Sequence, residues 1–231
     1  MKVAIMQPYF MPYIGYFQLI NMVDKYVVYD NIQYTKKGWI NRNRILKNGV
    51  DVYITIPLEK DSDFIDICER LVADNFNTKN FLNQIIGAYK NAPYFNETLN
   101  LIEQVVSNRD RNLFDFIFYS IVKMCEYLDI ETEILISSNI NIDHSLKGKD
   151  KVIHICKALN ADPYINSIGG LELYDKNEFM LNGIELKFIK TNEIVYKQFG
   201  NDFVSNLSII DVMMFNSKKK IKEMLNEYEL R

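Results

Sequence analysis

The sequence predicts an α/β protein with a mostly parallel sheet and a helical insertion. Short apolar runs such as Val3 to Met6 alternate with helical repeats near both ends of the chain. A block of helical periodicity from about residue 76 to 128 interrupts this alternation. We therefore expect a first part of the α/β domain over 1–75, a helical insertion over 76–130, and a second part with C-terminal helices over 131–231.

The first part has a strand-helix-strand pattern. The Val3 to Met6 run predicts a buried strand, Tyr13 to Val23 predicts a helix, and residues 25–34 predict a second strand. Pro8 and Pro12 bracket the turn between the first strand and the helix. A further strand is expected from Val52 to Ile56.

The later elements are read in the same way. Apolar residues recur at helical spacing in three successive segments between residues 76 and 128 and predict three helices there. Strands are then expected at Thr132 to Ser137, Asp162 to Asn166 and Ile184 to Ile189, with a helical stripe from Val152 to Leu159. The chain returns to helix from about Ile209.

Composition excludes several classes of protein. The 231 residues are 48% hydrophobic and 25% charged, which indicates a globular chain rather than a disordered one. No apolar stretch approaches the roughly 20 residues of a membrane span, and the N-terminus lacks the features of a secretion signal. We therefore expect a cytoplasmic protein. A net charge of −3 makes general nucleic-acid binding unlikely.

The cysteines and histidines provide no metal motif. Three widely separated cysteines form no C-x-x-C pair, and we expect them to be reduced thiols in or near the core. The two histidines, His144 and His154, belong to no H-E-x-x-H motif or carboxylate cluster. A dedicated transition-metal site is therefore not expected, while a metal held by substrate phosphates stays open.

One segment is strongly basic. Residues 31–50 contain no acidic side chain but five cations, among them Arg42 and Arg44. Such a run is often a solvated loop, yet here it is interleaved with aromatic and amide side chains. Guanidinium groups bind phosphate in a forked geometry, and an aromatic face stacks on a base or sugar. The pattern favours a pocket for a phosphate-bearing ligand.

Polar clusters follow four of the expected strands, at Gln7 to Tyr16, Asp30 to Arg44, Ser137 to Lys149 and Asn166 to Gly170. In a parallel sheet the ligand crevice lies beyond the carboxyl ends of the strands, so all four clusters would meet at one rim. Exposed loops of any α/β protein are polar, but large aromatic and amide side chains are unusual there. The candidate substrate-binding residues are Gln7, Tyr9, Tyr13, Tyr16, Asn31, Gln33, Tyr34, Lys36, Lys37, Trp39, Asn41, Arg42, Asn43, Arg44, Asn166, Gly169 and Gly170.

Two residues are candidates for catalysis. His144 follows a strand in an expected loop, and an imidazole titrates near neutral pH, so it suits a general base; a surface histidine is the plain alternative. Asp30 ends a strand, where its carboxylate suits a contact with a nucleobase or a ribose hydroxyl. The alternative is that it caps a loop. Gly169 and Gly170 admit a close approach of phosphate to backbone, although without G-x-G-x-x-G a turn is the default.

Several long runs resemble the WbqC-like family, found chiefly in gene clusters for bacterial surface polysaccharides. They are MQPYFMPYIGYFQLI, YDNIQYTKKGWINRNRI, AYKNAPYF, YINSIGGLELYD and LSIIDVMMFN, and they span nearly the whole chain. The resemblance implies a role near O-antigen or capsule synthesis. It also implies modification of a nucleotide-linked amino sugar, such as N-acyl or N-aminoacyl transfer, with the donor and any cofactor unknown.

The first strand and the turn into the first helix are similar to the start of Rossmann-like nucleotidylyltransferase folds related to pantothenate synthetase. Those proteins carry an H-x-G-H signature at this helix to hold nucleotide phosphates. Here the stretch is Tyr13-Ile14-Gly15-Tyr16, so both histidines are missing. The resemblance therefore implies the fold more strongly than adenylyl transfer.

These observations lead to one functional expectation and two alternatives. We expect a transferase that acts on a nucleotide sugar, with His144 or Asp30 as base and the cationic run neutralising phosphate. The alternatives are a nucleotidylyltransferase-like activating enzyme and a non-catalytic binding protein of a glycan-assembly complex.

Overall fold

A computed structural model describes residues 1–62, 64–200 and 202–231. The strands, in chain order, are β1 (Val3–Met6), β2 (Lys25–Val28), β3 (Arg42–Lys47), β4 (Val50–Thr55), β5 (Glu133–Ile136), β6 (Tyr164–Ser167), β7 (Leu186–Thr191) and β8 (Tyr228–Leu230). The helices are α1 (Ile14–Met22), α2 (Thr78–Tyr89), α3 (Phe95–Val106), α4 (Leu113–Leu128), α5 (Gly148–Ala158), α6 (Lys176–Leu181), α7 (Ile209–Phe215) and α8 (Lys218–Met224).

Six strands form the central sheet, in the order β5-β2-β1-β6-β7-β8. The first five of these are parallel, and β8 runs antiparallel to β7 at the edge. Counted along the chain, the parallel strands lie in the order 3-2-1-4-5. In a doubly wound sheet with this order, the strand order reverses between strands 1 and 4, and ligands bind at the reversal. Here that point lies between β1 and β6.

Two buried clusters cover the two faces of the sheet. One contains Ala4 and Val28 together with α1, the helices α2 to α4 and the C-terminal helices. The other contains Val3 and Val27 together with α5 and α6. Because successive strand residues point to opposite faces, alternate residues of β1 and β2 belong to different clusters. The helical segment expected over 76–130 therefore packs into the same core as one face of the sheet.

Helix α1 is buried on nearly all sides, which explains its few polar residues. Its one buried amide, Gln18, donates hydrogen bonds to the carbonyls of Met224 (2.7 Å) and Glu227 (3.0 Å). A buried amide without partners would be costly, so these bonds tie the first helix to the end of the chain.

The α/β prediction with a mostly parallel sheet is confirmed, but three details were wrong. Strand β2 ends at Val28 and not near residue 34, because Asp30 and Asn31 turn toward β5. The segment Arg42–Lys47 is a strand that the sequence pattern does not predict, and the expected strand at Val52 pairs with it in a separate antiparallel hairpin. Strand β8 was not expected, because three residues carry too little periodicity.

Candidate functional site

Five parallel strands deliver their carboxyl ends to one rim of the sheet. The segments that follow β1, β2, β5 and β6 contain the four polar clusters noted in the sequence, so the structure brings the beginnings of all four together. The segment after β7 reaches the same rim. Three cavities lie along it.

The first cavity, called here the crevice, lies at the reversal between β1 and β6 and has a volume of about 330 Å³. Gln7 and Tyr9 line it from the end of β1, and Asn166, Gly169 and Gly170 line it from the end of β6. Its remaining walls are Ile5, Met6, Tyr29, Ile32, Val152, Ser167, Leu173 and Tyr174. No charged residue is present among them.

The hydrogen-bonding groups of the crevice differ in how far they are already used. Within the described residues, the half-buried side-chain amide of Gln7 makes no hydrogen bond to protein. Asn166 instead holds the turn, since its Oδ1 accepts from Ser167 N at 2.7 Å and its Nδ2 donates to the Tyr164 hydroxyl. A Cβ on Gly170 would lie 3.0 Å from Asn166 Nδ2, so the glycine makes room for that amide. Gln7 is therefore the free amide of the crevice.

The second cavity, called here the Trp39 cavity, adjoins the crevice and has a volume of about 230 Å³. Tyr9 lines both spaces, and burial raises the pKa of its hydroxyl. The other lining residues are Pro12, Tyr13, Trp39, Asn43, Arg44 and Asn206. The hairpin of β3 and β4 thus supplies an aromatic ring and a guanidinium group to the rim.

Arg44 is braced from three directions. Its Nη1 lies 3.0 Å from Asp51 Oδ2, its Nη2 donates to the Asn206 carbonyl, and its guanidinium lies 5.5 Å from the centre of the Trp39 ring. Its Nε is buried and has no partner within the described residues. A guanidinium has five N–H donors, so Arg44 retains hydrogen-bonding capacity for an anion.

The third cavity, called here the β7 cavity, has a volume of about 580 Å³ and lies beyond the end of β7. It shares Tyr13 and Asn206 with the Trp39 cavity. Burial raises the pKa of Tyr13, and a hydrogen bond from the Thr191 side chain opposes that rise. A Cβ on Gly15 would lie 2.5 Å from Thr191 Oγ1, so only glycine lets the Tyr13 ring pack between α1 and β7.

The two catalytic candidates lie together between the ends of β2 and β5. Asp30 is 3% exposed, and its Oδ1 accepts hydrogen bonds from Ser137 Oγ (2.7 Å) and Ser138 N (2.9 Å). His144 Nε2 lies 3.0 Å from the Ile140 carbonyl, and its Nδ1 lies 3.0 Å from Asn31 Nδ2. Both ring nitrogens have partners, so His144 bridges two loops here. The catalytic assignment of both residues stays a prediction.

A buried lysine that the sequence pattern does not single out lies beside this pair. Lys151 is 4% exposed, donates to the Asn31 carbonyl at 3.0 Å and lies over the Tyr29 ring. Burial lowers the pKa of its ammonium, while Asp66 and Asp30 act in the opposite direction. In the sequence it is one of three closely spaced lysines, and only the fold distinguishes it from its exposed neighbour Lys149.

The basic run is divided by the fold. Arg42 donates hydrogen bonds to the carbonyls of Gly38 and Lys37 and lies 4.6 Å from the centre of the Tyr53 ring, so its guanidinium shapes the turn before β3. Lys36 and Lys37 are exposed in that turn. Of the cations of this run, Arg44 alone lines one of the three cavities.

Several other candidate residues form hydrogen bonds within the protein that stabilise the segments around the site. Tyr16 is buried, and its hydroxyl donates to the Gln7 carbonyl at 3.0 Å. The Tyr34 hydroxyl donates to Asn41 Oδ1, whose amide donates to the Ile56 carbonyl. Asn43 Nδ2 donates to the Phe10 carbonyl while the residue also lines the Trp39 cavity. Gln33 forms an isolated bridge with Asp66.

Of the residues that line the β7 cavity, only Tyr13 is among the site candidates predicted from the sequence. The sequence predicts a strand at Ile184 to Ile189. The end of this strand and the residues after it supply four of the lining residues, which are Lys190, Thr191, Asn192 and Glu193. The rule that polar groups after strand ends form sites applies there too, and it would have identified them. Asn206 lies in a segment without periodicity, and only the fold places it beside Arg44.

Two classes of feature are absent from the part of the chain described here. Within residues 1–62, 64–200 and 202–231, no group of three or more His, Cys, Asp or Glu side chains is arranged to hold a metal ion. Over the same residues, no helix is both long and apolar enough to cross a bilayer. The three cysteines form no disulfide: Cys125 and Cys156 are buried, and Cys68 is partly so.

Comparison with known proteins adds a family to this geometry. The model of the WbqC-like protein family matches residues 7–223, which include nearly all of the rim. The chain belongs to the WbqC-like protein family. A relative in this comparison is the uncharacterized protein Rv1507c of Mycobacterium tuberculosis, 27% identical over 219 residues that cover 93% of each chain. No solved structure matches the chain. The predicted family membership is therefore confirmed.

Proposed function

We propose that this member of the WbqC-like family is a transferase that binds a nucleotide-linked sugar along the rim of its sheet. The observation that carries the proposal is the crevice at the reversal between β1 and β6, which shares Tyr9 with the Trp39 cavity. Doubly wound sheets bind nucleotides at this point of the topology. The chemistry of each cavity supports a different part of such a ligand.

The crevice suits the nucleoside. Its tyrosine rings, Tyr9, Tyr29 and Tyr174, provide flat apolar surface, and Gln7 provides an amide with a free donor and acceptor. A nucleobase presents a ring face together with donors and acceptors at its edge, which matches this combination. A crevice without charged residues in its lining is poorly suited to the phosphates themselves.

The Trp39 cavity suits the diphosphate. It adjoins the crevice, and the guanidinium of Arg44 lines it. That guanidinium is already aligned by Asp51, Asn206 and the Trp39 ring, so little conformational freedom is lost when it binds an anion.

The family resemblance supplies the biological setting of the proposal. In O-antigen or capsule synthesis, the reaction that we propose is transfer of an acyl or aminoacyl group to an amino sugar. A nucleotidylyltransferase-like activity is the alternative. It receives less support because Tyr16, at the second histidine position of the signature, is buried and its hydroxyl already donates to the Gln7 carbonyl.

Binding measurements test the proposal. Titration calorimetry with nucleoside diphosphates, their sugar conjugates and ATP should show binding of the sugar conjugates, and Gln7→Ala should weaken it by roughly tenfold because one hydrogen-bonded amide is lost. Gln84→Ala changes an exposed glutamine in α2 and serves as the control. Binding of ATP alone would favour the activating enzyme, and binding of none of these ligands would favour a non-catalytic role.

A further inference from the structure

The β7 cavity is the largest of the three spaces and lies at the far end of the row from the crevice. Tyr13 and Asn206 border both the Trp39 cavity and the β7 cavity. A ligand with its nucleoside in the crevice and its diphosphate beside Arg44 therefore extends toward this space. Its volume of about 580 Å³ exceeds that of either neighbour.

The lining of the β7 cavity is rich in uncharged hydrogen-bonding groups. Thr191, Asn192, Ser205 and Asn206 supply hydroxyl and amide groups, and three of these four are exposed to solvent. Sugar hydroxyls both donate and accept hydrogen bonds, and such side chains offer both roles. An apolar wall that includes Ile194 and Phe203 gives a surface for the non-polar side of a ring.

The charges of the β7 cavity disfavour phosphate. Among the described residues that line it, Lys190 is the one cation, against the two carboxylates of Glu193 and Glu229. Glu229 lies 3.3 Å from Arg231 Nη2, whereas Glu193 forms no ion pair within the described part of the chain. A phosphate group in this cavity would be repelled by the net negative charge of the lining. An ammonium group would be attracted to the carboxylate of Glu193.

We propose that the β7 cavity holds the sugar of the nucleotide-linked sugar and that Glu193 recognises an ammonium substituent on it. The inference rests on the proposed function and deepens it, because it assigns the unacylated amino sugar to the β7 cavity and its ammonium group to Glu193. The order along the rim is then nucleoside, diphosphate and sugar. The sugar amine then lies at the end of β7, on the other side of the crevice from Asp30 and His144.

The first experiment separates the sugar site from the nucleotide site. Ser205→Phe places a bulky ring in the β7 cavity from an exposed position, and Ser107→Phe places the same ring in an unrelated cavity of about 380 Å³ beside α3. The probes are uridine, thymidine, guanosine and adenosine diphosphates with their glucose and glucosamine conjugates. Titration calorimetry should show that Ser205→Phe reduces the affinity for a conjugate to that for its diphosphate alone.

In the same experiment, Ser205→Phe should leave the affinity for the free diphosphate unchanged, and Ser107→Phe should leave both affinities unchanged. If a conjugate binds Ser205→Phe as tightly as it binds the wild-type protein, the sugar lies elsewhere and the inference is overturned while the proposed function stands. If no diphosphate and no conjugate binds the wild-type protein, the proposed function fails and the inference fails with it.

The second experiment tests the role of Glu193. Glu193→Gln keeps the size of the side chain and removes its charge, so the affinity for the glucosamine conjugate should fall about fivefold while that for the glucose conjugate stays the same. Glu185→Gln, at an exposed position on the approach to the opposite end of β7, is the matched control. Equal loss for both conjugates, or loss for neither, would overturn recognition of the ammonium group.

Discussion

Arg44 links the β3–β4 hairpin to the rim of the sheet through an ion pair, a hydrogen bond and a cation–π contact. Its guanidinium contacts Asp51 across the hairpin, the Asn206 carbonyl near the β7 cavity and the ring of Trp39. Arg42, two residues earlier on the same strand, is occupied by the turn at Lys37 and Gly38. The two arginines look equivalent in the sequence, but they differ in the structure.

This difference gives a first prediction. Arg44→Ala should weaken binding of a nucleoside diphosphate by about 1.5 kcal/mol, the lower end for a charge-assisted hydrogen bond, because the side chain is partly exposed. Arg42→Ala should weaken it less. Calorimetry at two salt concentrations checks both, since the loss for Arg44 should shrink as salt rises. Equal losses for the two variants would contradict the assignment.

Asp211 is a buried carboxylate that holds the wall of the β7 cavity. Its Oδ1 accepts from the Tyr196 hydroxyl at 2.6 Å and from Gln198 Nε2 at 2.8 Å, and its Oδ2 accepts from the Tyr89 hydroxyl at 2.7 Å. Burial raises its pKa above the ordinary value of 3.8, and these three hydrogen bonds oppose the rise. The net direction is upward.

The raised pKa of Asp211 predicts a pH dependence of stability. Since the folded chain binds this proton more readily than the unfolded chain, the contribution is favourable below about 3.8 and is lost as pH rises through the raised folded pKa. Between pH 3.8 and the raised folded pKa, Asp211→Asn should therefore become progressively more stable relative to the wild-type protein. Urea denaturation at several pH values checks this, with the exposed Asp150→Asn as control. A constant difference between Asp211→Asn and wild type would contradict it.

Asp30 and His144 should contribute differently to the free energy of unfolding. Asp30→Ala removes a buried acceptor of two hydrogen bonds and should lower the free energy of unfolding by about 2 kcal/mol. His144→Ala removes an exposed ring and should cost less than about 1 kcal/mol. Urea denaturation measures both changes. Wild-type stability of Asp30→Ala would show that the Ser137 contacts are not structural.

At the scale of elements, the junction of α1 with β7 depends on a glycine. A helix is normally more stable with alanine than with glycine at the same position, by about 1 kcal/mol. At Gly15 the added Cβ would meet the Tyr13 ring and Thr191, whereas at Gly87 in α2 nothing lies within 4 Å. Both glycines lie in helices and differ in what surrounds them, so the same substitution can be compared at the two positions.

We expect opposite effects at the two positions. Gly87→Ala should raise the free energy of unfolding by about 0.5–1 kcal/mol, and Gly15→Ala should lower it because Tyr13 or Thr191 must move. Since Tyr13 lines two cavities, Gly15→Ala should also weaken binding of a nucleotide sugar. Thermal denaturation and calorimetry measure these effects. A gain of stability in Gly15→Ala would contradict the packing described for Tyr13.

At the scale of the whole molecule, the helical segment and the sheet share one core. Phe10, in the segment after β1, packs against Phe81 of α2 at 5.9 Å between ring centres and against Phe116 of α4 at 6.1 Å. Phe10 is fully buried. The start of the chain therefore contacts two helices of the segment that interrupts the α/β pattern.

This shared core predicts cooperative unfolding. Phe10→Ala should lower the free energy of unfolding by about 3–5 kcal/mol, and Phe64→Ala, at a position 83% exposed, by no more than about 0.5 kcal/mol. Helical circular dichroism and the fluorescence of Trp39, the single tryptophan, should change at the same urea concentration. Separate transitions would show that residues 76–130 unfold as an independent domain.

Much of the fold follows from local pattern. The apolar run at Val3–Met6, the helical repeats between 76 and 128 and the strand after Pro163 are recovered at nearly their true bounds, because buried strands and amphipathic helices leave a period in the sequence. The two-stranded hairpin was missed at β3. Arg42 and Arg44 alternate with Asn43 and Ile45, and strong charges obscured the period of two.

The sequence by itself determined the family, the mostly parallel sheet and the rim at which polar groups gather, since each depends on residue type and order along the chain. The tertiary structure alone decided which of these polar groups face a cavity. Gln7 and Arg44 do, whereas the Tyr16 hydroxyl donates to the Gln7 carbonyl and the Arg42 guanidinium to the Gly38 carbonyl. It also placed Asn206 beside Arg44, 162 residues away. The physical reason is that a side chain's partners depend on packing between distant segments, which local periodicity does not encode.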